Sequence, residues 1–417
     1  MVPEDAANPA SEAAQAERDR AEGAARQEES QLVSRLSIVV LLEWMGGGVI
    51  LPLLPLYLRQ RGISPAYVGV TMAAFYFGAL CLQYPAGRLV DRIGRRPILI
   101  AGLFCYAAAT LAFLVWTSAF GFIALRFVQG AAGGAVEVAS LALISSAVPI
   151  ERRGRATSRI YQAQYVGIFV GPVVGALIGV AHMRLLFALT AGLCVAASVP
   201  VVTSAVIRRH DVVGGSSREP LVRIVANRAL IGAMVLGVTL GIITGIYEAC
   251  WTLLMQAHGA TQLQIGLSWA VFSLPYIFLV RTSGWLADHV DRRLLAIGGI
   301  SLSFVMFLSW SHIANPNVMI AFNVVESVAF SLIVPATQSL LTEGRAPVEL
   351  GRIQGAYATA TTAAIAVAAS IGGVLFTIGP GVPFTASAPV VAAAAIAAGV
   401  IWRKVPGRVA RGALAPS

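Results

Sequence analysis

Lysine is almost missing: Lys404 is the single one in 417 residues. Charged residues of every kind make up only 12% of the chain, with four cysteines and five histidines. These shortages remove whole classes of function. The pattern G-x-x-x-x-G-K-[ST] is absent, so nothing supports ATP-driven work. His182, His210, His258, His289 and His312 are scattered over loops and helix ends, without the spacing a metal centre needs. Cys81, Cys105, Cys194 and Cys250 all fall in apolar runs and read as packing residues, silent about redox compartment. No nucleophile elbow is found, and nothing in the chain reads as an enzyme.

What is present is apolar. Hydrophobic residues make up 57% of the chain, and a soluble fold of that composition lacks the polar surface to cover itself. A helix needs roughly 20 apolar residues to cross the hydrocarbon core. Charged, Pro- or Gly-bearing breaks divide the chain into twelve such spans, near 36–58, 66–87, 97–117, 119–146, 160–181, 184–207, 229–255, 264–287, 294–313, 316–342, 353–378 and 384–402. The runs are continuously apolar and rich in Ala, Leu and Gly, without the alternation a barrel strand requires. An all-α membrane protein is expected.

Residues 1–35 are polar and rich in Ala, Glu and Arg, with no apolar core of signal-peptide length. They are expected to form a mobile cytoplasmic tail, with at most a transient helix, and span 1 doubles as an uncleaved insertion signal. Orientation comes from the basic residues. Of 30, only Arg59, Arg61 and Arg184 fall on one side and Arg126 and Arg281 within or at the edge of spans, leaving 25 in the tails and alternate loops. That bias predicts a multi-pass protein of the cell (plasma or inner) membrane with both termini cytoplasmic. The net charge of +10 is then topological, with the basic loops facing anionic lipid of the bilayer and no nucleic-acid partner.

Residues 87–97 read GRLVDRIGRRP, five charges between two apolar runs. The stretch returns in GWLADHVDRR: Gly87, Asp91, Arg95 and Arg96 recur as Gly284, Asp288, Arg292 and Arg293, each 197 residues on. The same offset links Gly62 to Gly259, Gly69 to Gly266, and Gly154–Arg155 to Gly351–Arg352. An offset shared across separated places is an internal repeat. It predicts two pseudo-symmetric six-helix halves, 36–207 and 229–402, joined by a cytoplasmic linker over 208–228 and followed by a C-terminal tail from 403 to 417. Parallel halves of this kind build many secondary transporters, with the substrate site between them near the midplane.

GRLVDRIGRRP resembles the loop between helices 2 and 3 of the major facilitator superfamily, G-x-x-x-D-R-x-G-R-R, at every defined position: Gly87, Asp91, Arg92, Gly94, Arg95 and Arg96. The resemblance covers all but the tails. Asp91 can accept hydrogen bonds from backbone N–H groups at a neighbouring helix N-terminus. In the family the equivalent Asp pairs with the start of helix 11, here near Gly351 and Arg352, and so closes the cytoplasmic side. The plainer reading, a tight turn with positive-inside charges, accounts for the arginines but not for the lone Asp.

GIFVGPVVGA, residues 167–176, resembles the family's antiporter motif G-x-x-x-G-P-x-x-G-G, with Ala176 in place of the last Gly. Gly167, Gly171 and Gly175 recur every four residues and Pro172 weakens the backbone, which suits close helix packing. Small residues at this spacing occur in any membrane bundle. The G-P pair, missing from the other half where residue 369 is Ala, sets this stretch apart. ALRFVQGAAGGA, 124–135, resembles the R-x-x-Q-G element of proton-coupled exporters, and ILPLLPLYL, 50–58, their proline-rich first helix. The resemblance therefore implies the twelve-helix drug:proton antiporter branch, energised by the proton gradient without a cofactor, in alternating access.

A charge at the bilayer centre costs about 2.5–3.5 kcal/mol even on lenient scales, so each needs a reason. The acids within spans are Glu43, Glu137, Glu248 and Glu326, on spans 1, 4, 7 and 10, the four that line the cavity in the family. Arg126, Gln129, Gly130, Gly133 and Glu137 share one helical face, and Arg126 and Gln129 correspond by the repeat to Asn323 and Glu326. Desolvation favours a protonated carboxyl group and a nearby arginine a charged one, so these glutamates are the proton-coupling candidates, Glu43 first. A fixed ion pair with Arg126 remains the alternative for any one of them. Trp44, Tyr247 and Trp251, with Arg126, Gln129 and Asn323, are expected to line the substrate cavity, the aromatics adding cation–π contacts. The function expected is proton-coupled efflux of lipophilic drugs or metabolites, cations among them, by a monomer. The alternatives are a proton-coupled importer of a small organic solute, or a non-transporting sensor or scaffold of the same fold.

Overall fold

The computed structural model describes residues 9–211, 227–343 and 347–405. They form α1 (Pro9–Ile50), α2 (Pro65–Ile93), α3 (Arg95–Ala112), α4 (Ala119–Ala147), α5 (Ile150–Ile178), α6 (Met183–Thr203), α7 (Arg228–Ile246), α8 (Gln262–His289), α9 (Arg292–Trp310), α10 (Pro316–Thr342), α11 (Pro347–Phe376) and α12 (Val382–Ile401). No strand is present among the described residues. Among the described residues eleven helical stretches are long and apolar enough to cross a membrane, and the 28-residue α8 fills the place of the span expected over 264–287. The chain is an all-α, multi-pass membrane protein.

Two expectations need correction. Residues from Pro9 onward are not a tail with a transient helix but one α-helix continuous with span 1. Their Ala, Glu and Arg residues are strong helix formers, and Glu28 and Glu29 tie the helix to Arg209 at 2.5 Å and Arg152 at 3.1 Å. Span 1 is also broken: α1 ends at Ile50, and a turn around Pro52 leads into a short helix, Leu54–Gln60. The linker lies mostly outside the described residues, as does the C-terminal tail after Val405.

The same helix pairings occur twice. α1 packs on α5 and α6, α2 on α4, and α3 on α4 and α6; raising each number by six gives the pairs of α7–α12. The repeat is visible at single residues, since Gly62 and Gly259 both turn the chain with φ +78°, a region open to glycine. Between the two sets, α2 meets α11 and α5 meets α8. Both contacts lie at the end opposite the termini, where α2 and α8 begin. There a Cβ on Gly69 would come within 2.5 Å of the Ala369 carbonyl oxygen, Gly266 faces Ala176, and Gln262 Oε1 accepts from Val180 N–H at 2.8 Å. Toward the termini the halves part: around Gly87 on α2 and Gly355 on α11 there is open space. The central cleft is thus closed at one end and open at the end carrying the termini.

The helix 5 motif packs as its spacing suggests. Gly167, Gly171 and Gly175 face the α1 backbone so closely that a Cβ on Gly175 would overlap the Val49 carbonyl oxygen. Ala176, the departure from the motif, lies on the other face against Gly266 of α8.

Candidate functional site

The four membrane-embedded glutamates occupy different settings. On α1, Glu43 is 8% exposed, and its Oε1 lies 3.6 Å from where a Cβ would stand on Gly133 of α4. Glu137 is one helical turn further along α4, within electrostatic range of Glu43, and exposed in the open cleft. Glu326 on α10 is fully buried, with the Ser303 hydroxyl of α9 beside its carboxyl group. Glu248 joins the halves: its Oε1 accepts a hydrogen bond from the Tyr76 hydroxyl on α2, while Oε2 is buried without a partner among the described residues.

None of these four glutamates forms an ion pair with Arg126. That arginine is 3% exposed, with its guanidinium 4.6 Å over the Phe75 ring and Nη1 donating to Gln129 at 3.3 Å. The ion pairs among the described residues lie elsewhere. The shared face expected on helix 4 is divided. Gln129 is wholly buried, donating to Thr110 of α3 at 2.7 Å, and Gly130 packs on the Phe75 backbone of α2, so neither lines the cleft. At 100° per residue a stripe of this width spans several neighbours, and here they are α2, α3 and the cleft. Trp44, expected to line the substrate cavity with Tyr247 and Trp251, stands apart from them: it is 38% exposed and lies against Gly167 of α5.

On the other side a cavity of about 90 Å³ lies among α7, α8 and α10, at the boundary where Glu248 meets Tyr76. Tyr247, Glu248 and Trp251 reach it because α7 passes into a π-helical turn, Tyr247–Trp251, a distortion frequent at functional sites. Opposite stand Trp269 and Phe272 of α8 and Asn323 and Phe330 of α10. The walls are fixed by hydrogen bonds: Trp251 Nε1 donates to Ser268 Oγ at 2.8 Å, Asn323 Nδ2 to the Ser268 carbonyl at 3.0 Å, and Trp310 Nε1 to the Tyr247 hydroxyl at 2.6 Å.

The charged loops cap helices. Asp91 is exposed and holds no hydrogen bond or ion pair among the described residues, so the expected latch is not formed with this end open. The carboxylate at the α3 N-terminus is instead Asp211, whose Oδ1 accepts from Arg95 N–H at 2.6 Å and Arg96 N–H at 3.0 Å. Gly94, φ +106°, leaves it room: a Cβ there would lie 2.6 Å from that oxygen. In the second half, where residue 94 corresponds to Asp291, the cap is local, and Asp291 Oδ1 accepts from Arg293 N–H at 2.9 Å. The Arg293 guanidinium beside Asp291 holds its carboxyl below the usual carboxylate range. Arg96 donates to the Val202 carbonyl near the end of α6 at 2.9 Å, and Arg293 to the Val405 carbonyl, four residues past the end of α12, at 2.5 Å. Arg292 is buried and pairs with Glu343 at 2.5 Å. Arg92 is exposed, and the Asp288 side chain lies outside those described.

The sequence model of the Major Facilitator Superfamily matches residues 36–249 and 229–415. The chain belongs to that superfamily. It is a transporter and not an enzyme. It is 23% identical to the class D tetracycline resistance protein of Salmonella ordonez, over 78% of this chain and 84% of that one. Among solved structures, the nucleoside transporter NupG superposes with a TM-score of 0.72 at 12% identity, covering 89% of this chain and 99% of the other. An inward-facing, occupied bacterial homologue of the human lysosomal transporter Spinster gives 0.76 at 12% identity, covering 92% and 98%.

Sequence reasoning missed Tyr76, Asp211 and Trp269 in this superfamily member. Tyr76 lies seven residues after Gly69 on the same helix, so a face shared with the cross-half contact was available as a signal. Asp211 sits in the linker with no local pattern, and nothing short of the packed fold brings it to Gly94.

Proposed function

We propose that this chain is a proton-coupled antiporter that exports lipophilic small molecules, cations among them, across the cell membrane by alternating access between its two six-helix halves. The observation that carries the reading is the set of four glutamates in membrane-embedded helices with no fixed cation partner among the described residues. Glu43 and Glu137 repel one another when both are charged, and a proton on either relieves that repulsion. Proton loss and substrate entry can therefore alternate at one cleft, each biasing which end is open. The concentration of basic residues in the loops at the open end supports placing that end, with both termini, in the cytoplasm. The resistance function named for the Salmonella relative supports export.

The test is transport in inverted membrane vesicles energised to an acid interior, following a fluorescent lipophilic cation. Proton-driven uptake by the wild type that is lost in Glu43→Gln supports antiport with Glu43 as the coupling group. Uptake retained in Glu43→Gln and lost in Glu137→Gln moves the proton to Glu137. A wild type that moves no cation across an intact gradient overturns the reading.

A further inference from the structure

We propose that the cavity between α7, α8 and α10 is a subsite for the ammonium head group of an organic cation that also carries a hydrogen-bond acceptor. The proposal rests on the efflux reading for its context but on its own geometry for its substance. Five aromatic side chains, Tyr247, Trp251, Trp269, Phe272 and Phe330, surround the space. Ring faces attract a cation through their quadrupoles, most strongly where water is excluded. They do not stand at random: Tyr247 and Trp251 meet edge to face with centroids 5.5 Å apart, and Phe272 and Phe330 likewise at 5.4 Å. The volume of about 90 Å³ suits a small alkylated nitrogen, at roughly 10–15 Å³ for each water it would displace.

Two polar atoms of this box have no hydrogen-bond partner among the described residues. Glu248 Oε2 is buried and accepts nothing, and the Trp269 indole Nε1–H is buried and donates to nothing. Leaving either unmade is costly, and together they set the chemistry of a ligand that fits. The carboxylate oxygen calls for a positive group, and the indole N–H for an ether, hydroxyl or carbonyl oxygen a few bonds away. Arg126, the cation in electrostatic range of Glu248, is held over Phe75 and makes no ion pair with it. Tyr76 already holds Glu248 Oε1, so the side chain is aimed before any ligand arrives, which lowers the cost of binding.

The experiment uses the purified full chain in lipid nanodiscs and two probes of the same shape, acetylcholine and its uncharged carbon isostere 3,3-dimethylbutyl acetate. Binding is read by saturation-transfer NMR and calorimetry. Acetylcholine is expected to bind about tenfold or more tightly than the isostere. Glu248→Gln should remove most of that preference while keeping the shape of the box. Trp269→Phe should weaken binding a few-fold through loss of the N–H alone, and Trp269→Leu more, through loss of the ring face. Thermal unfolding of each variant confirms that it is folded. Equal binding of the two probes, or acetylcholine binding unmoved by Glu248→Gln and Trp269→Leu in folded protein, overturns the subsite. The vesicle assay separates the two readings. No ammonium preference alongside proton-driven export of a neutral dye sinks the subsite and leaves antiport standing. Ammonium binding without any proton-driven transport does the reverse.

Discussion

Replacing Gly69 by alanine tests how the closed end of the cleft is held. A Cβ at this position would lie 2.5 Å from the Ala369 carbonyl oxygen and 2.7 Å from Gly373 Cα, where unstrained carbon contacts need about 3.5–4.0 Å. Both obstacles are backbone, so neither can swing aside, and α2 and α11 must part by about 1 Å. Overpacking of this kind costs about 1–3 kcal/mol. The cost falls only on the state in which these helix ends touch. At about 1.4 kcal/mol for each factor of ten, the balance moves about 5- to 150-fold toward the state open at the opposite end. Spin labels at exposed Gln60 and Thr377, in a background without the four native cysteines, report the change by pulsed double-resonance distances. The dominant Gln60–Thr377 distance should lengthen in Gly69→Ala, and a second pair at Leu89 and Ala356, across the open end, should shorten. Unchanged distances in a folded variant would refute the reasoning.

Two further outcomes concern the loop caps. Asp211→Ala removes the carboxylate from the α3 N-terminus and should cost about 0.5–2 kcal/mol of stability, read as a lower melting temperature in detergent; wild-type melting would sink the idea. For Asp291, held below the usual range by Arg293, the sign of the pH effect is fixed. Its contribution is present above the ordinary carboxylate value of about 4 and is lost as the pH falls through its lower folded-state value. Asp291→Asn should therefore melt below the wild type at neutral pH, with the gap closing only in strong acid; a gap independent of pH counts against it.

The amino-acid sequence alone determined the properties that composition and pattern along the chain control. Apolar runs of membrane length specify the helices, because the bilayer leaves the backbone no other partner than itself. The 197-residue offset announced the paired architecture, down to the matching turns at Gly62 and Gly259. The count of four glutamates within spans was legible for the same reason, since a charge in an apolar run stands out whatever its surroundings.

Tertiary structure decided which atoms meet. Glu43, Glu137, Glu248 and Glu326 look alike in the sequence, yet one is exposed, one is sealed beside Ser303 and one bridges the halves through Tyr76. Asp91 of the loop motif was expected to cap a neighbouring helix N-terminus, but the helix-capping carboxylate at α3 came from Asp211, 115 residues after Arg96. Gln129 and Gly133 share a helical face by spacing, and only packing sends one to Thr110 and the other toward Glu43. Periodicity fixes the direction of a side chain relative to its own helix axis. What stands in that direction depends on contacts between segments far apart in the chain, and these exist only once the helices have packed.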